Sequence, residues 1–270
     1  MVAPAMDGHM YHNPATQENL AKLESRGITI VGPASGRLAS GLVGVGRLVE
    51  TPELMGNIAA ILGRQGDLAG RTIVVSAGGT QEPIDPVRYI SNRSSGKMGY
   101  ALAQAAIDRG AEVALISGPT ALVPPDGCDF VGVETAQEMY EAVKVVAPNQ
   151  DFIFKAAAVA DFSPANPGKE KFKKEFGIPD LEMKSTEDIL AGLRSITNAF
   201  LLGFALETEN AEENALKKME EKNLDAIVLN LLGQPGVGFD GNTNEGLIYF
   251  NKKDPPVVLP FDTKEKMAHN

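Results

Sequence analysis

Between residues 76 and 99 the chain concentrates small, hydroxylated, amide and cationic side chains, the types that bind anions. Gly78 and Gly79 follow a short apolar run, and Ser94 and Ser95 come just before a segment with helical spacing. Glycines let backbone N–H groups approach an anion, and a helix N-terminus adds further donors. The pattern predicts a phosphate-binding loop, whereas the ordinary alternative is a tight glycine turn followed by serines that cap a helix. A length of about twenty residues favours function, because unstructured loops this long are uncommon otherwise.

Two common nucleotide-binding patterns do not fit this loop. Gly78-Gly79-Thr80 lacks the glycine spacing of the dinucleotide fingerprint, and the next helix begins too late. Gly96-Lys97 has the residue pair of a P-loop, but the preceding glycine is missing and Met98 stands where a magnesium-binding hydroxyl is needed. The loop is therefore of a different kind.

Three further groups of charged residues could bind an anionic substrate. Asp161 ends an alanine-rich turn that begins at Lys155, and residues 169–174 contain four lysines. Lys218 and Lys222 are four apart on a segment with helical spacing, so they share a face and could converge on phosphates. The alternative for the lysines is an ordinary solvated surface.

The elements that must position these residues follow from hydrophobic periodicity. Short apolar runs bounded by turn residues predict buried strands over Thr72–Ala77, Glu112–Ser117, Phe152–Ala157, Phe200–Phe204 and Ala226–Asn230. Helical spacing predicts helices over Gly99–Arg109, Ala136–Val146, Thr186–Ile196 and Ala211–Lys222. This alternation predicts an α/β fold with a mostly parallel sheet covered on both faces. Gly246–Phe250 and Val257–Leu259 predict a C-terminal β-hairpin that extends the sheet or pairs with another subunit.

The residues before about 70 do not fit the same unit. They predict helices over Gln17–Arg26 and Pro52–Leu62 with one short strand, Ile28–Val31, between them. One strand and two helices cannot close a core. We therefore expect an incomplete domain over residues 1–64, a glycine-flanked linker over residues 65–70 and one complete domain over residues 71–270.

Composition limits the partners. The chain has 270 residues, of which 43% are hydrophobic and 22% charged, which is typical of a globular protein with a large core. A formal charge of -10 and the absence of tryptophan argue against a general nucleic-acid surface. No apolar run reaches the length of about 20 residues that a membrane-spanning helix needs, and the first residues lack a basic segment followed by an apolar one, so we expect neither a membrane span nor an export signal. Cys128, the single cysteine, cannot form an intramolecular disulfide, so a cytoplasmic location and small-molecule substrates are expected.

The segment from Ser76 to Gly99 resembles the signature of phosphopantothenate–cysteine ligase, the synthetase half of a bifunctional protein of coenzyme A biosynthesis. The resemblance continues through four shorter motifs: Lys155 to Phe162, Lys169 to Lys174, Gly203 to Thr208 and Lys222 to Asp225. It covers roughly residues 70 to 265. It implies a Rossmann-like three-layer α/β/α domain with a mostly parallel sheet, which agrees with the periodicity.

The resemblance implies a reaction in two steps. The carboxylate of phosphopantothenate attacks a nucleotide, CTP in most bacteria, to give an acyl-nucleotidylate and pyrophosphate. The amine of cysteine then displaces the nucleoside monophosphate and forms an amide. Mg²⁺ and a homodimer formed through the ligase domain are also implied. The choice between CTP, ATP and UTP stays open, because base selection depends on backbone groups.

The resemblance also implies roles for individual residues. Asn92 is implied to turn the acyl-nucleotidylate into product, and Lys171 to form that intermediate. Arg88 is implied to bind the substrate together with Asn92, and Asp161 is also a candidate Mg²⁺ ligand. The implied nucleotide-binding residues are Gly79, Ser94, Lys155, Ala156, Ala157, Asp161, Lys171, Thr186, Glu187, Asp188, Ile189, Phe204, Lys218 and Lys222.

The first segment resembles the end of the flavin-dependent decarboxylase to which this ligase is fused, which implies that an incomplete flavodoxin-like segment precedes the ligase domain. Residues 3–11 are similar to its substrate clamp, where an asparagine is usual at the position of Asp7, and residues 36–47 to its flap, where a cysteine proton donor is usual at Ser40. A serine is a far weaker acid than a thiol, and an aspartate repels an anionic substrate. We expect no decarboxylase activity from this chain, and FMN only with an intact decarboxylase domain.

Two other interpretations remain. Relatives of the decarboxylase half serve as regulatory or structural subunits, and the substituted Asp7 and Ser40 suit a non-catalytic subunit. The intact Asn92, Asp161 and Lys171 favour an enzyme instead. A nicotinamide-dependent reductase shares the fold class, but the glycine fingerprint and a tyrosine–lysine catalytic pair are missing.

Overall fold

The structure is a computed structural model that describes residues 1–173, 175, 180–206, 210–230 and 241–270. The strands of this part of the chain are β1 (Ala34–Arg37), β2 (Val43–Arg47), β3 (Thr72–Ala77), β4 (Gln81–Pro83), β5 (Tyr89–Ser91), β6 (Glu112–Ser117), β7 (Asp129–Gly132), β8 (Phe152–Lys155), β9 (Phe162–Pro164), β10 (Met183–Ser185), β11 (Phe200–Leu206), β12 (Ala226–Asn230), β13 (Thr243–Tyr249) and β14 (Val257–Thr263). The helices are α1 (Gly8–Tyr11), α2 (Pro14–Glu24), α3 (Thr51–Gly63), α4 (Lys97–Asp108), α5 (Ala136–Val146), α6 (Ile189–Leu193), α7 (Ala211–Glu221) and α8 (Lys264–His269), with a 3₁₀ turn over Ala147–Asn149.

One large sheet organises the described residues. Its eight strands lie in the order β14-β13-β12-β11-β8-β3-β6-β7. The six strands from β12 to β7 in this order are parallel to one another, whereas β13 is antiparallel to both β12 and β14. The predicted mostly parallel α/β sheet with a C-terminal hairpin is confirmed. The chain order reverses beside β3, whose neighbours are β6 and β8, and a ligand crevice forms at such a reversal.

Apolar clusters cover both faces of the sheet. In β11, Leu201 and Ala205 belong to the cluster beneath α5, α6 and α7, whereas Leu202 and Phe204 belong to clusters on the opposite face. This division follows from the two-residue period of a strand. The opposite face is covered by α4 and α8, which contribute residues such as Leu102 to the same clusters. The result is the three-layer arrangement that the sequence predicts.

The predicted bounds hold best where turn and cap signals are strong. The bounds predicted for β3, β6, β12 and α5 coincide with the observed ones, and α5 begins with a capping box in which Thr135 and Glu138 satisfy each other's backbone N–H groups. The helix predicted over Thr186–Ile196 is wrong at both ends, because α6 spans only Ile189–Leu193. The Thr186 hydroxyl donates to the carbonyl of Ala160 at 2.6 Å, which holds that residue outside the helix.

The first 63 residues bury few side chains. Helix α2 contains no buried residue, and the strand predicted over Ile28–Val31 is wrong, because Ile30 forms only an isolated bridge with Val2. The hairpin of β1 and β2, which the periodicity missed, supplies the regular strands instead. Helix α3 lies against α4 so closely that a Cβ at Gly63 would be 2.5 Å from the carbonyl oxygen of Asp108.

The glycine-flanked turn after α3 is attached to the large domain. Arg109 donates to both carboxylate oxygens of Asp67, at 2.9 and 2.6 Å, and its carbonyl accepts from the N–H of Leu68 at 3.0 Å. None of the helices that the structure describes is both long and apolar enough to cross a membrane.

Candidate functional site

The predicted anion loop lies at the carboxyl ends of β3 and β8, beside the reversal in strand order. Gly78 has φ +73°, a conformation that favours glycine, and Gly79 forms a parallel bridge with Ala158. A Cβ on Gly79 would lie 3.0 Å from the carbonyl oxygen of Asn92 and 3.5 Å from the Cβ of Ser94. The structure therefore brings Gly79, Asn92 and Ser94 together.

Asn92 is an exposed residue directly after β5, held at the carboxyl edge by its side chain. Its amide nitrogen donates to the carbonyl of Val159 at 2.9 Å. Ser94 lies next to the start of α4, where its Oγ accepts from the N–H of Gly96 at 3.4 Å. Gly96 caps the helix with φ +76° and no side-chain cap, so the N-terminus of α4 faces this edge.

The alanine-rich turn after β8 is fixed by backbone donors. Ala156 donates its N–H to the carbonyl of Ser76 at 3.1 Å, and Ala157 donates to Ser76 Oγ at 3.4 Å. Ala160 donates to Thr80 Oγ1 at 3.0 Å. These N–H groups are therefore used within the protein. Ala157 is 9% exposed and belongs to the apolar core, so its side chain is not available to a ligand.

Four other predicted nucleotide-binding residues lie near enough to Lys155 at this edge to act on its charge. Burial first, and then the positive charges of Lys218 and Lys222, lower the pKa of Lys155 to about 8, whereas Asp188 and Asp161 act in the opposite direction. Among the described residues, Nζ of Lys155 donates no hydrogen bond, and the Lys155 backbone pairs within the sheet. A half-buried ammonium of this kind suits an anionic ligand that would stabilise its charged form.

Lys218 in α7 and Lys222, which follows its last residue, already bind protein groups. Lys218 Nζ donates to the carbonyl of Phe204 at 3.1 Å, and Lys222 forms an ion pair with Asp188. The ring of Phe204 lies on the other face of the sheet, in an apolar groove of about 430 Å³. Phe204 therefore reaches the predicted nucleotide side through its backbone and not through its ring.

Three neighbouring predicted nucleotide-binding residues, Thr186, Glu187 and Ile189, lie in three different surroundings. The N–H of Thr186 donates to the carbonyl of Asp161 at 3.0 Å, so Thr186 joins the turn after β8. Glu187 lines a polar cavity of about 320 Å³ together with Thr186 and Glu82. The side chain of Ile189 is 2% exposed and belongs to the core, so it is not available to a ligand.

Lys171 lies on a loop that is fastened to the turn between β4 and β5. Lys171 itself is exposed. The carboxylate of the buried Asp85 accepts from the N–H of Phe172 at 3.1 Å, and Arg88 donates to the carbonyl of Phe172 at 2.8 Å. Arg88, a predicted substrate-binding residue, thus forms an ion pair with Asp85 in this structure. Lys174, Glu207 and Thr208 of the sequence motifs lie outside the described residues.

Sequence reasoning missed the residues that hold these loops. Asp85, Ser76 and Thr80 each accept hydrogen bonds from the loops that carry candidate residues. Asp85 follows an isoleucine and precedes a proline, which is a turn signal, but its contact with Phe172 is distant in sequence. In the part of the chain that the structure describes, no group of three His, Cys, Asp or Glu side chains could hold a metal ion.

In the first segment, the two substituted decarboxylase positions contact each other. Ser40 Oγ donates to Asp7 Oδ2 at 2.7 Å, beside a cavity of about 320 Å³ that Arg37 and Arg47 also line. This hydrogen bond and that from the N–H of His9 hold the pKa of Asp7 below its ordinary value. A negative charge is therefore fixed at Asp7, the position where the resemblance leads us to expect a neutral asparagine.

The model of the DNA/pantothenate metabolism flavoprotein C-terminal domain family matches residues 68–270, and the Flavoprotein family model matches residues 1–63. The chain belongs to the DNA/pantothenate metabolism flavoprotein family. Coenzyme A biosynthesis bifunctional protein CoaBC of Vibrio vulnificus strain CMCP6 is 42% identical over 99% of this chain and 67% of its own length. A relative from an unknown prokaryotic organism, named cysteine/cysteine sulfinic acid decarboxylase, is 46% identical over 90% of this chain and 70% of its own length.

A solved structure agrees with the fold of this family member. The C-terminal domain of a coenzyme A biosynthesis bifunctional protein CoaBC has a TM-score of 0.62 and 43% sequence identity, and the match covers 74% of this chain and 90% of that chain. The chain spans about two thirds of the length of its curated CoaBC relatives. The CoaBC homologues are thus bifunctional enzymes of coenzyme A biosynthesis, and this chain matches both kinds of domain.

Proposed function

We propose that this chain catalyses the phosphopantothenate–cysteine ligase reaction with CTP. The observation that carries the proposal is the convergence, at one sheet edge, of Asn92 with the lysine cluster of Lys155, Lys218 and Lys222. The family membership supports the same reaction class. The substrates would be phosphopantothenate, cysteine and CTP.

In the first step a carboxylate oxygen of phosphopantothenate attacks the α-phosphorus of CTP. A C–O–P linkage forms, the bond to the β-phosphate oxygen breaks, and pyrophosphate leaves. Lys171 would stabilise the charge that develops on the α-phosphate, because a mobile ammonium can follow that charge. Lys218 and Lys222 would hold the nucleotide, and the local positive potential of these lysines offsets the acidity of the chain.

In the second step the amine of cysteine attacks the acyl carbonyl carbon. The amide bond forms, the C–O bond to CMP breaks, and the amine loses its proton to solvent. Asn92 would orient the acyl carbonyl by donating a hydrogen bond without adding charge. Gly79 has no Cβ, and a Cβ there would lie 3.0 Å from the Asn92 carbonyl oxygen, so a larger residue would crowd Asn92.

Mg²⁺ fits this site only if the protein and the substrate phosphates together supply its ligands. The described residues offer no cage of three protein ligands, but Mg²⁺ is commonly held by one or two carboxylates together with substrate phosphates. Asp161 would be its protein ligand. The ion would neutralise charge on the phosphates when it is bound.

We assign no flavin step to residues 1–63. The positions that the resemblance gives to the decarboxylase clamp and proton donor are Asp7 and Ser40, which are bonded to each other. An aspartate there would repel an acidic substrate, and a serine is a poor proton donor. FMN would be needed only by an intact decarboxylase domain.

We also propose a homodimer formed through the ligase domain. The edge strand β14 exposes Val257, Val258 and Phe261, and an uncovered edge strand can pair with another chain. Sedimentation velocity tests this proposal, since a monomer at all concentrations would exclude it.

The proposed reaction is tested with purified protein, Mg²⁺, phosphopantothenate and each of CTP, ATP and UTP, with pyrophosphate as the first readout and the amide product after cysteine is added. We expect the fastest release with CTP. Thermal shifts with CTP, ATP and NADPH provide a parallel test, because a ligand that prefers the native state raises the midpoint. A folded protein that releases no pyrophosphate with any nucleotide would exclude a ligase, and stabilisation by NADPH alone would favour a reductase.

A further inference from the structure

Asp85 is a buried carboxylate for which the preceding sections propose no part in the reaction. Among the buried carboxylates that the structure describes, it accepts the most hydrogen bonds. It is 3% exposed, and its Oδ1 accepts from the N–H groups of Val87 and Arg88 at 2.8 and 2.9 Å. Its Oδ2 accepts from Arg88 Nε at 2.9 Å, from Arg88 Nη2 at 2.5 Å and from the N–H of Phe172 at 3.1 Å. Arg88 and the backbone donors hold the pKa of Asp85 far below its ordinary value, so the group is a carboxylate at neutral pH.

These bonds join two loops that are distant in sequence. Asp85 lies in the turn between β4 and β5, whereas Phe172 follows Lys171 directly in the chain. Arg88 completes the junction, since its Nη2 also donates to the carbonyl of Phe172 at 2.8 Å and its guanidinium lies 5.9 Å from the Phe172 ring centroid. The N–H of Gly168 donates to the carbonyl of Ile84 at 2.8 Å and gives the same loop a second attachment.

The junction also connects the loop of Lys171 to the segment of Asn92. The turn continues into β5 and then into Asn92, so the loop that carries Lys171 is anchored to the segment that carries Asn92. An exposed lysine on an unattached loop would lose much conformational freedom on meeting the nucleotide. Attachment at Phe172 removes part of that loss before the substrate binds.

We propose that Asp85 is a positioning residue that fixes the loop of Lys171 for acyl-nucleotidylate formation. The proposal rests on the proposed ligase function and deepens it, because it assigns the placement of Lys171 to a carboxylate that does not itself contact substrate. Asp85→Asn replaces one acceptor oxygen by an NH₂ group, which would face the three N–H donors at Oδ2 or the two at Oδ1, and it removes the charge that holds Arg88, so the junction loosens.

The test is a double-mutant cycle on pyrophosphate release, measured without cysteine. Asp85→Asn is expected to lower the rate about 10- to 100-fold, the range found for misplacement of a reacting group. In the Lys171→Gln background the same substitution is expected to have little further effect, because Asp85 acts through Lys171. The control is Asp67→Asn, which breaks another carboxylate–arginine pair, with Arg109, away from both loops and should leave the rate unchanged.

The outcomes separate the proposal from its alternatives. If Asp85→Asn lowered the rate equally in both backgrounds, Asp85 would act independently of Lys171 and the proposal would be overturned. Asp85→Asn could instead act only through charge, by leaving Arg88 without its carboxylate partner. The variant would then bind the nucleotide more tightly and keep a high rate of pyrophosphate release, and this result would also overturn the proposal. Wild-type protein that releases no pyrophosphate would instead exclude the ligase function itself. If Asp85→Asn does not fold, Asp85→Glu replaces it in the same double-mutant cycle. This variant keeps the charge but displaces the carboxylate, and the same results would support or overturn the proposal.

Discussion

The side-chain amide of Asn92 donates a 2.9 Å hydrogen bond to the carbonyl of Val159, and so joins the segment after β5 to the turn after β8. These two segments carry different predicted functions, because Asn92 is a candidate for the acyl group and the turn ends at Asp161, a candidate for the nucleotide. One N–H of the amide is occupied by the bond, and the second remains available to a substrate carbonyl. The same side chain can therefore join the two segments and orient the acyl group.

Asn92→Asp should separate the two steps of the proposed reaction. The carboxylate cannot donate a hydrogen bond and would repel the developing negative charge at the acyl oxygen, so amide formation should fall about 100-fold. Pyrophosphate release should stay near the wild-type rate, and the acyl-nucleotidylate should accumulate and be detected by mass spectrometry. Asn57→Asp is the control, because Asn57 also donates to a carbonyl at 2.9 Å but lies in α3. Loss of both steps together would contradict the assigned role.

The fold could be predicted from local patterns, whereas the connections within the site could not. The apolar runs at β3, β6 and β12 carry their own turn boundaries, so periodicity identifies them. Short pairs such as β9 with β10 are missed because three residues carry no measurable period. The junction of Asp85 with Phe172 depends on how the chain folds back on itself, which no local signal reports.

The face taken by Phe204 shows the same limit. Alternation puts Phe204 on the side of Leu202 and opposite Ala205, but it does not say which side faces the nucleotide. That choice depends on α7, from which Lys218 reaches the Phe204 carbonyl. The resemblance therefore predicts Phe204 as a nucleotide contact, and the structure shows that its carbonyl, and not its ring, lies on the side of Lys218.

Stability should depend on pH through Lys155. Its pKa is lowered from 10.5 to about 8, mainly by burial and also by Lys218 and Lys222. Below about pH 8 the folded and unfolded chains both hold the proton, whereas between about 8 and 10.5 only the unfolded chain holds it. The free energy of unfolding should therefore rise with pH across this window relative to that of Lys155→Met, which has no such group.

Urea unfolding of both proteins on either side of pH 8 measures this difference. Lys184→Met is the control, since Lys184 is an exposed residue of β10 and its removal should shift the curves equally at each pH. A constant difference between wild type and Lys155→Met from about pH 7 to pH 10 would mean that Lys155 is not desolvated.

Lys218→Met and Lys222→Met should each weaken nucleotide binding about tenfold, because hydrogen bonds to charged groups contribute about 1.5–3 kcal/mol. Both side chains extend from α7 towards the edge that holds Lys155. Isothermal titration with magnesium nucleotide gives the dissociation constants. Lys217→Met is the matched control on the same helix, since its side chain is 68% exposed and pairs only weakly with Glu221 at 3.8 Å. Equal losses in all three variants would indicate a general charge effect rather than a binding site.

Gly99→Ala should destabilise the protein by about 1–2 kcal/mol, although alanine is the better helix former by about 1 kcal/mol. A Cβ at Gly99 would lie 2.5 Å from the Cβ of Ala77 and 3.0 Å from its Cα, so α4 would have to move away from β3. That movement also displaces the helix N-terminus beside Ser94, so substrate affinity should fall with stability. Chemical denaturation measures the first effect, with Gly44→Ala as the control because a methyl group there would have nothing within 4 Å and a change within about 0.5 kcal/mol is expected. A Gly99→Ala protein as stable as wild type would mean that the close helix–strand contact does not set the position of the anion loop.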